Sequence, residues 1–363
     1  MNNKRLRKLL AKMNEMKLDR LVLVSKENLS YLFHFTFDTG KRISACTINS
    51  QGDIRFFVNS IFSEGVAEDF PFHVTFYRDG DYPIDLILQQ IPLHERVGID
   101  ENLVSSAMYY IIQNRKDLTL SISDCVERLR EIKDENEINA LSQSARIADA
   151  VMLQTVQLQT YPTTEEKIAQ MVVSFFDNYE VDEVSFTPIV ASGVNTVNPH
   201  HKAGNTMILP NEPLLVDIGA KFNGYCSDMT RMFARSEIFS AYSTLYSRLL
   251  EAQQIALDII RPGIELKEID RSIRNYLKRY NLEQYFIHGT GHGIGIEAYE
   301  LPYIHHNNTE IVKEGMVVTV GPGLYLQGNY GLRIEDVVLV TKTGSECLNK
   351  LPKELLILEE ERV

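Results

Sequence analysis

The sequence predicts an α+β protein of two domains, a small α/β domain followed by a larger one that is helical first and strand-rich later. Three observations carry this. The first third alternates between helical and strand-like hydrophobic patterns, a long capped helix opens at Asp134, and beyond residue 180 the pattern is strand-like apart from one helical interval, roughly 242 to 280. A length of 363 residues fits two domains or one large one, and 44% hydrophobic with 24% charged residues is ordinary globular composition, which excludes a disordered or collagen-like chain.

Taken in order, Leu6, Leu9, Leu10 and Met13 make one helical stripe, and residues 20–24 read as a short strand. Residues 43–48 and 54–58 flank Ser50-Gln51-Gly52-Asp53, a turn signal, and so form a hairpin. A strand at 72–77, a helix at 84–90 and a strand at 96–99 complete the first domain. The pattern changes near residues 124–134, which sets the boundary near 125 and the domains at 1–125 and 126–363. Asp134 can cap the next helix, with Glu137 three residues on completing a capping box. Ile138, Leu141, Ala145, Ala148, Met152 and Val156 then line one face, and the helix stops before Pro162. Thr163-Thr164-Glu165-Glu166 starts a second helix with Ile168, Met171, Val172 and Phe175 on its apolar face.

Charge and cysteine usage narrow the function classes. A net charge of −12, from 37 basic and 49 acidic residues, disfavours a nucleic-acid partner, which needs clustered Lys and Arg. No apolar run approaches the roughly 18 residues of a membrane span. The N-terminal MNNKRLRKLLAKM interleaves charge with apolar residues, unlike a signal peptide, so a cytoplasmic location is expected. Cys46, Cys125, Cys226 and Cys347 are far apart, which argues against a zinc ribbon or a disulfide scaffold and fits a reducing compartment.

Three segments carry candidate chemistry. In LLVDIGAKFNGYCSDMTRMF, residues 214–233, two strands flank Asn223-Gly224, the two-residue loop of a type I′ hairpin. With that loop, Phe222 faces Tyr225, Asp217 faces Thr230 and Asp228 faces Gly219, so Asp217 and Asp228 share one sheet face as diagonal neighbours. Two such carboxylates repel unless protonated or bridged by cations, and Gly219 would leave room for an ion; alternatively they are solvent-facing residues of an edge hairpin. In YFIHGTGHGIGIEAYELP, residues 285–302, His288 and His292 project from a glycine-rich loop whose spacing is not the dinucleotide fingerprint. They are either structural histidines or ligands. In residues 314–341 two strands surround a Gly/Pro-rich turn; Arg333 and Glu335 share a face of the second and Asp336 points the other way. A surface Arg–Glu pair is the plainer reading of that segment. Together Asp217, Asp228, His292 and Glu335 form a set that Mn²⁺, Fe²⁺, Co²⁺ or Zn²⁺ could use and an all-oxygen Ca²⁺ site would not. Bridging carboxylates suit two metals about 3.5–4 Å apart, which activate water for hydrolysis.

The order of Asp, Asp eleven residues on, His in GTGHGIG and Glu in RIED resembles the pita-bread metallopeptidases: Xaa-Pro dipeptidase (prolidase), aminopeptidase P and methionine aminopeptidase. The first domain, including NLSYLFHFTFDTG at 28–40, resembles the creatinase/prolidase N-terminal domain, which methionine aminopeptidases lack. The resemblance covers nearly the whole chain and implies a pita-bread catalytic domain, a homodimer and a peptide substrate with proline at its second position. It implies one or two divalent ions, Mn²⁺ first among Co²⁺, Zn²⁺ and Fe²⁺. Asp217 would hold the second metal, Asp228 and Glu335 would bridge both, and His292 would bind the first. His200, in VNTVNPHH, matches the histidine near the tetrahedral intermediate; His288 matches the one four residues before the ligand; Arg333 matches an arginine that supports the carboxylates.

Two positions depart from the family. Its T-[IV]-E-P-G reads Thr319-Val320-Gly321-Pro322-Gly323, so Gly321 stands where a metal-binding glutamate and proton acceptor should be. Its HGIGLEVHE reads HGIGIEAYE, so Tyr299 replaces a histidine. Loss of a general base typically costs about 10²–10⁴ in rate, and a tyrosine phenol, with a reference pKa of about 10, is a poor proton shuttle. Glu300 is a weak candidate to replace the missing carboxylate. The leading expectation is a metal-dependent Xaa-Pro dipeptidase or aminopeptidase P-like hydrolase of reduced activity. The alternatives are a peptidase-like binding protein without catalysis and a creatinase-like C–N hydrolase using His200 as base.

Overall fold

The computed structural model describes residues 3–35, 40, 42–66, 70–157, 162–209, 211–234, 240–354 and 356–357, and its contacts divide the chain into Met1–Arg130 and Glu131–Val363. The first unit is an α/β domain. Its sheet runs His73–Tyr77, Ile54–Asn59, Ala45–Asn49, Arg20–Leu23, Arg96–Ile99 and Thr119–Ile122 in spatial order. The expected hairpin forms, Ala45–Asn49 is also antiparallel to Arg20–Leu23, and the other three pairs are parallel. The first helix, Asn3–Glu15, buries Leu9 and Met13. Three helices of this unit escaped sequence reading, the shortest being Cys125–Arg130. Lys26–Phe33 buries Asn28 among its apolar residues, so no clean stripe marks it, and Ser105–Asn114 buries only Ala107 and Ile111. Of the segment 28–40, residues 36–39 lie outside the described residues.

The second unit begins at the capping box. Glu137 N–H donates to Asp134 Oδ1 at 3.1 Å and Asp134 N–H donates to Glu137 Oε2 at 2.9 Å, which satisfies two free donors at the start of Glu135–Gln157. Thr164 caps Glu165–Phe176 in turn. These two helices bury Ala148, Met152, Ile168 and Val172 against Val190, Val216 and Phe233 of a four-stranded sheet. That sheet is ordered Leu356–Ile357, Met229–Ala234, Leu214–Ile218, Ile189–Ser192. The expected helical interval is two helices, Ser240–Ile259 and Leu266–Lys278, because Pro262-Gly263 interrupts it and Gly263 takes φ 97°. They pack Leu249, Ala252, Ile269 and Ile273 on Val318, Val320 and Val338 of a five-stranded sheet. That sheet is ordered Glu300–Ile304, Gly291–Gly293, Val317–Val320, Asp336–Val340, Ser345–Cys347. Helix pairs covering strand layers in this way make the pita-bread arrangement that the resemblance implied. No helix among the described residues is long and apolar enough to cross a membrane.

Candidate metal centre

The hairpin forms in the expected register: Asp217 pairs Thr230, Lys221 pairs Cys226 and Phe222 pairs Tyr225. Asn223 and Gly224 have φ of 50° and 78°, as a type I′ turn requires. Alternation then sorts the Leu214–Ile218 strand: Leu214, Val216 and Ile218 enter one core, while Leu215 faces the other with Met232. Asp217 and Thr230 continue that second face, where the apolar layer ends and the acidic one begins. Gly219 does not leave room for an ion. A Cβ there would fall on the Ser227 carbonyl oxygen, so the glycine permits backbone contact between the two arms of the hairpin.

His292 lies on a strand rather than a loop. Gly291–Gly293 pairs with both Glu300–Ile304 and Val317–Val320, and a Cβ on Gly291 or Gly293 would fall on the carbonyl of Thr319 or Leu301. Only glycine fits on either side, which leaves the imidazole as the one side chain of this short strand. His292 Nδ1 is 3.0 Å from the Gly293 carbonyl, so the hydrogen sits on Nδ1 and Nε2 presents a lone pair, 3.7 Å from Asp228 Oδ2. Burial lowers the His292 pKa to about 4, which keeps the ring neutral and able to bind a cation.

The third segment forms four strands where two were expected. Val317–Val320 pairs Asp336–Val340, whereas Gly323–Tyr325 pairs Gly331–Arg333, and Glu335 falls at the break. There its backbone pairs with Thr230, N–H to O at 3.2 and 3.3 Å, which carries Glu335 onto the aspartate hairpin. Arg333 joins three segments. It donates to Asp217 Oδ2 at 2.6 Å, Thr230 Oγ1 at 2.9 Å, Tyr325 Oη at 3.0 Å and the Pro199 carbonyl at 3.1 Å. Asp336 does point the other way, to Arg231, Lys353 and Gln253.

Asp228, His292 and Glu335 each offer a ligand atom, all within 4.8 Å of one another. Asp228 Oδ1 and Asp217 Oδ1 are buried with no hydrogen-bond partner. Burial pushes the Asp228 pKa well up, as do Glu335 and Asp217 beside it; burial and then Asp217 also raise that of Glu335. Arg333 holds its proton more tightly than in water, because Tyr325, Asp217 and Glu335 outweigh the burial that opposes its charge. Arg333 offsets only part of this negative charge, and for buried, mutually repelling carboxylates beside a neutral imidazole a divalent ion fits the donor set. The cluster faces a cavity of about 1260 Å³.

The other expected site residues line the same cavity. His200 is exposed on it. His288 is fixed by Nδ1–H to the Gly289 carbonyl at 2.7 Å and by the Tyr325 hydroxyl on Nε2 at 3.0 Å, and burial lowers its pKa to about 4. Tyr299, 62% exposed, lies over the His292 ring with centroids 4.3 Å apart and stacks on Tyr303 at 5.1 Å. Glu300 does not replace the missing carboxylate: it is buried against Lys133 Nζ at 2.7 Å. Sequence reasoning passed over Glu165, His201 and Tyr325. Buried Glu165 accepts from Ser192 N–H at 2.8 Å and Asn195 Nδ2 at 2.9 Å, and His201 Nε2 lies 2.8 Å from it. Its place in a capping signal hid this second use.

Comparison with known proteins gives the family and the fold. The model for metallopeptidase family M24 matches residues 139–342, and that for the creatinase/prolidase N-terminal domain matches 5–132. An uncharacterized peptidase of Staphylococcus aureus (strain MRSA252) is 31% identical over 95% of this chain and 99% of its own. A prolidase from Thermococcus sibiricus superimposes with a TM-score of 0.93 at 31% identity, covering 99% of this chain and 100% of that one. An Xaa-Pro dipeptidase from Bacillus anthracis gives 0.88 at 29% identity, covering 98% and 99%. The fold alone is shared with the N-terminal domain of a FACT complex subunit from Cicer arietinum, at 18% identity, a TM-score of 0.83 and 98% of each chain.

Proposed function

The chain belongs to metallopeptidase family M24, and on that premise we propose that it removes an N-terminal residue from peptides with proline in the second position, as a prolidase or aminopeptidase P-like enzyme. The observation that carries this reading is the buried group Asp228, His292 and Glu335, with an orphaned oxygen on Asp228 and another on neighbouring Asp217, facing a large cavity. Those three residues would hold a divalent metal, Mn²⁺ first among Co²⁺, Zn²⁺ and Fe²⁺, with Asp217 beside them. Such an ion supplies an activated water and polarises a peptide carbonyl.

The chain's own residues supply the rest. His200, carried into the cavity next to Pro199, donates to the oxygen on which charge develops. Arg333 fixes that loop through the Pro199 carbonyl and orients Asp217 and Tyr325. His288, neutral and held by Tyr325, shapes the wall, and Tyr299 covers His292 and narrows access of water to it. Gly321 leaves no carboxylate to accept the water's proton, so turnover is low for the family. A cytoplasmic homodimer is the expected assembly.

The test is release of the N-terminal residue from Xaa-Pro dipeptides and tripeptides by Mn²⁺- or Co²⁺-loaded protein. Turnover above that of His292→Ala supports the reading, and turnover equal to it contradicts it. A second reading, a peptidase-like binder without catalysis, is favoured by Gly321 and Tyr299; it predicts no turnover and no bound ion.

A further inference from the structure

We propose that this chain holds a single divalent cation, between Asp228, His292 and Glu335, and that Asp217 is the partner of Arg333 rather than a ligand of a second ion. The inference rests on the metallopeptidase reading above and narrows it. Three independent observations lead to it.

The first is the donor set. Asp228, His292 and Glu335 converge within 4.8 Å, and Asp217 is not part of that group. One Asp217 oxygen is taken by Arg333 at 2.6 Å. A second ion beside Asp217 would have one free oxygen there and would otherwise share ligands already committed to the first.

The second is the missing donor. A Cβ on Gly321 would fall on the Glu335 carboxylate, so Glu335 fills the volume in which a longer residue at 321 would bring another ligand. Among the described residues no nearby acid takes its place: Glu300 is paired with Lys133 and Asp336 with Arg231. Glu166, the remaining carboxylate on the cavity wall among the described residues, is exposed on the first turn of its helix.

The third is charge. Asp217, Asp228 and Glu335, less Arg333, leave two negative charges when ionised, which one divalent ion neutralises. Two ions would leave a buried excess of positive charge with no acid to offset it, at high desolvation cost.

The experiment is a Mn²⁺ titration of metal-free protein, read by elemental analysis after dialysis and by electron paramagnetic resonance. One Mn²⁺ per chain with the hyperfine pattern of an isolated ion is expected. Asp217→Asn should keep that stoichiometry while weakening affinity by about 10–100-fold, as loss of an outer partner does; His292→Ala should abolish binding. Two ions per chain with an exchange-coupled spectrum would overturn the single-ion assignment and leave the peptidase reading intact. No bound ion would overturn both. Should Asp217→Asn fail to fold, the wild-type stoichiometry and spectrum still decide.

Discussion

Gly321 and Glu335 share one volume: the space that any side chain at 321 would need is filled by the Glu335 carboxylate. Gly321 is not in the left-handed region, so alanine there meets a collision and no backbone strain. Gly321→Ala should therefore turn Glu335 away from Asp228 and His292 and weaken metal binding by at least about tenfold. Isothermal titration with Mn²⁺ checks this; unchanged affinity would mean that Glu335 is not a ligand.

Arg333 is buried and makes four hydrogen bonds that no shorter or unforked cation can reproduce together. Arg333→Met leaves Asp217 buried and uncompensated, at a cost of about 3–5 kcal/mol in folding stability. Arg333→Lys should retain part of that stability, yet lose activity because the loop before His200 is released. Denaturant titration and peptidase assays of the two variants separate these effects.

Glu165 acts at a distance. Its carboxylate accepts from Ser192 and Asn195 and meets His201, the neighbour of His200. Glu165→Gln turns an amide donor towards donors, which costs about 1–3 kcal/mol. Because the loop that carries His200 loosens, kcat should fall more than KM rises. An unaltered kcat at measurably reduced stability would show that Glu165 is structural only.

His288 gives an acid sensitivity with a definite sign. Burial holds its native pKa at about 4, with Arg333, Arg274 and His200 also disfavouring its charge, against about 6.5 in the unfolded chain. Between those values the unfolded state binds the extra proton, so stability rises with pH through this window and levels off above it. Acidification from about 6.5 to about 4 should cost wild type roughly 3 kcal/mol more than His288→Gln. Parallel stability curves for the two proteins would contradict the assignment.

What could be read without coordinates follows from how local each signal is. The capping box at Asp134 and the Asn223-Gly224 turn are decided by residues within a few positions of one another, and both form as expected. The fixed register of that turn carries Asp217 and Asp228 to one face by alternation alone. The break at Glu335 was not legible, because it depends on pairing with Thr230, 105 residues away in sequence. Nor was the strand at His292, whose glycines answer to the Thr319 and Leu301 backbones. The partnerships of Glu165 with His201 and of Tyr325 with His288 and Arg333 are likewise tertiary. Family resemblance could show that a carboxylate is missing at 321, but only packing shows what fills its place.

The most direct test of the metal centre is anomalous diffraction from a crystal soaked in Mn²⁺. The expected result is one peak at about 2.0–2.3 Å from His292 Nε2 and from carboxylate oxygens of Asp228 and Glu335. A map at saturating Mn²⁺ with no peak among these three residues would contradict the account.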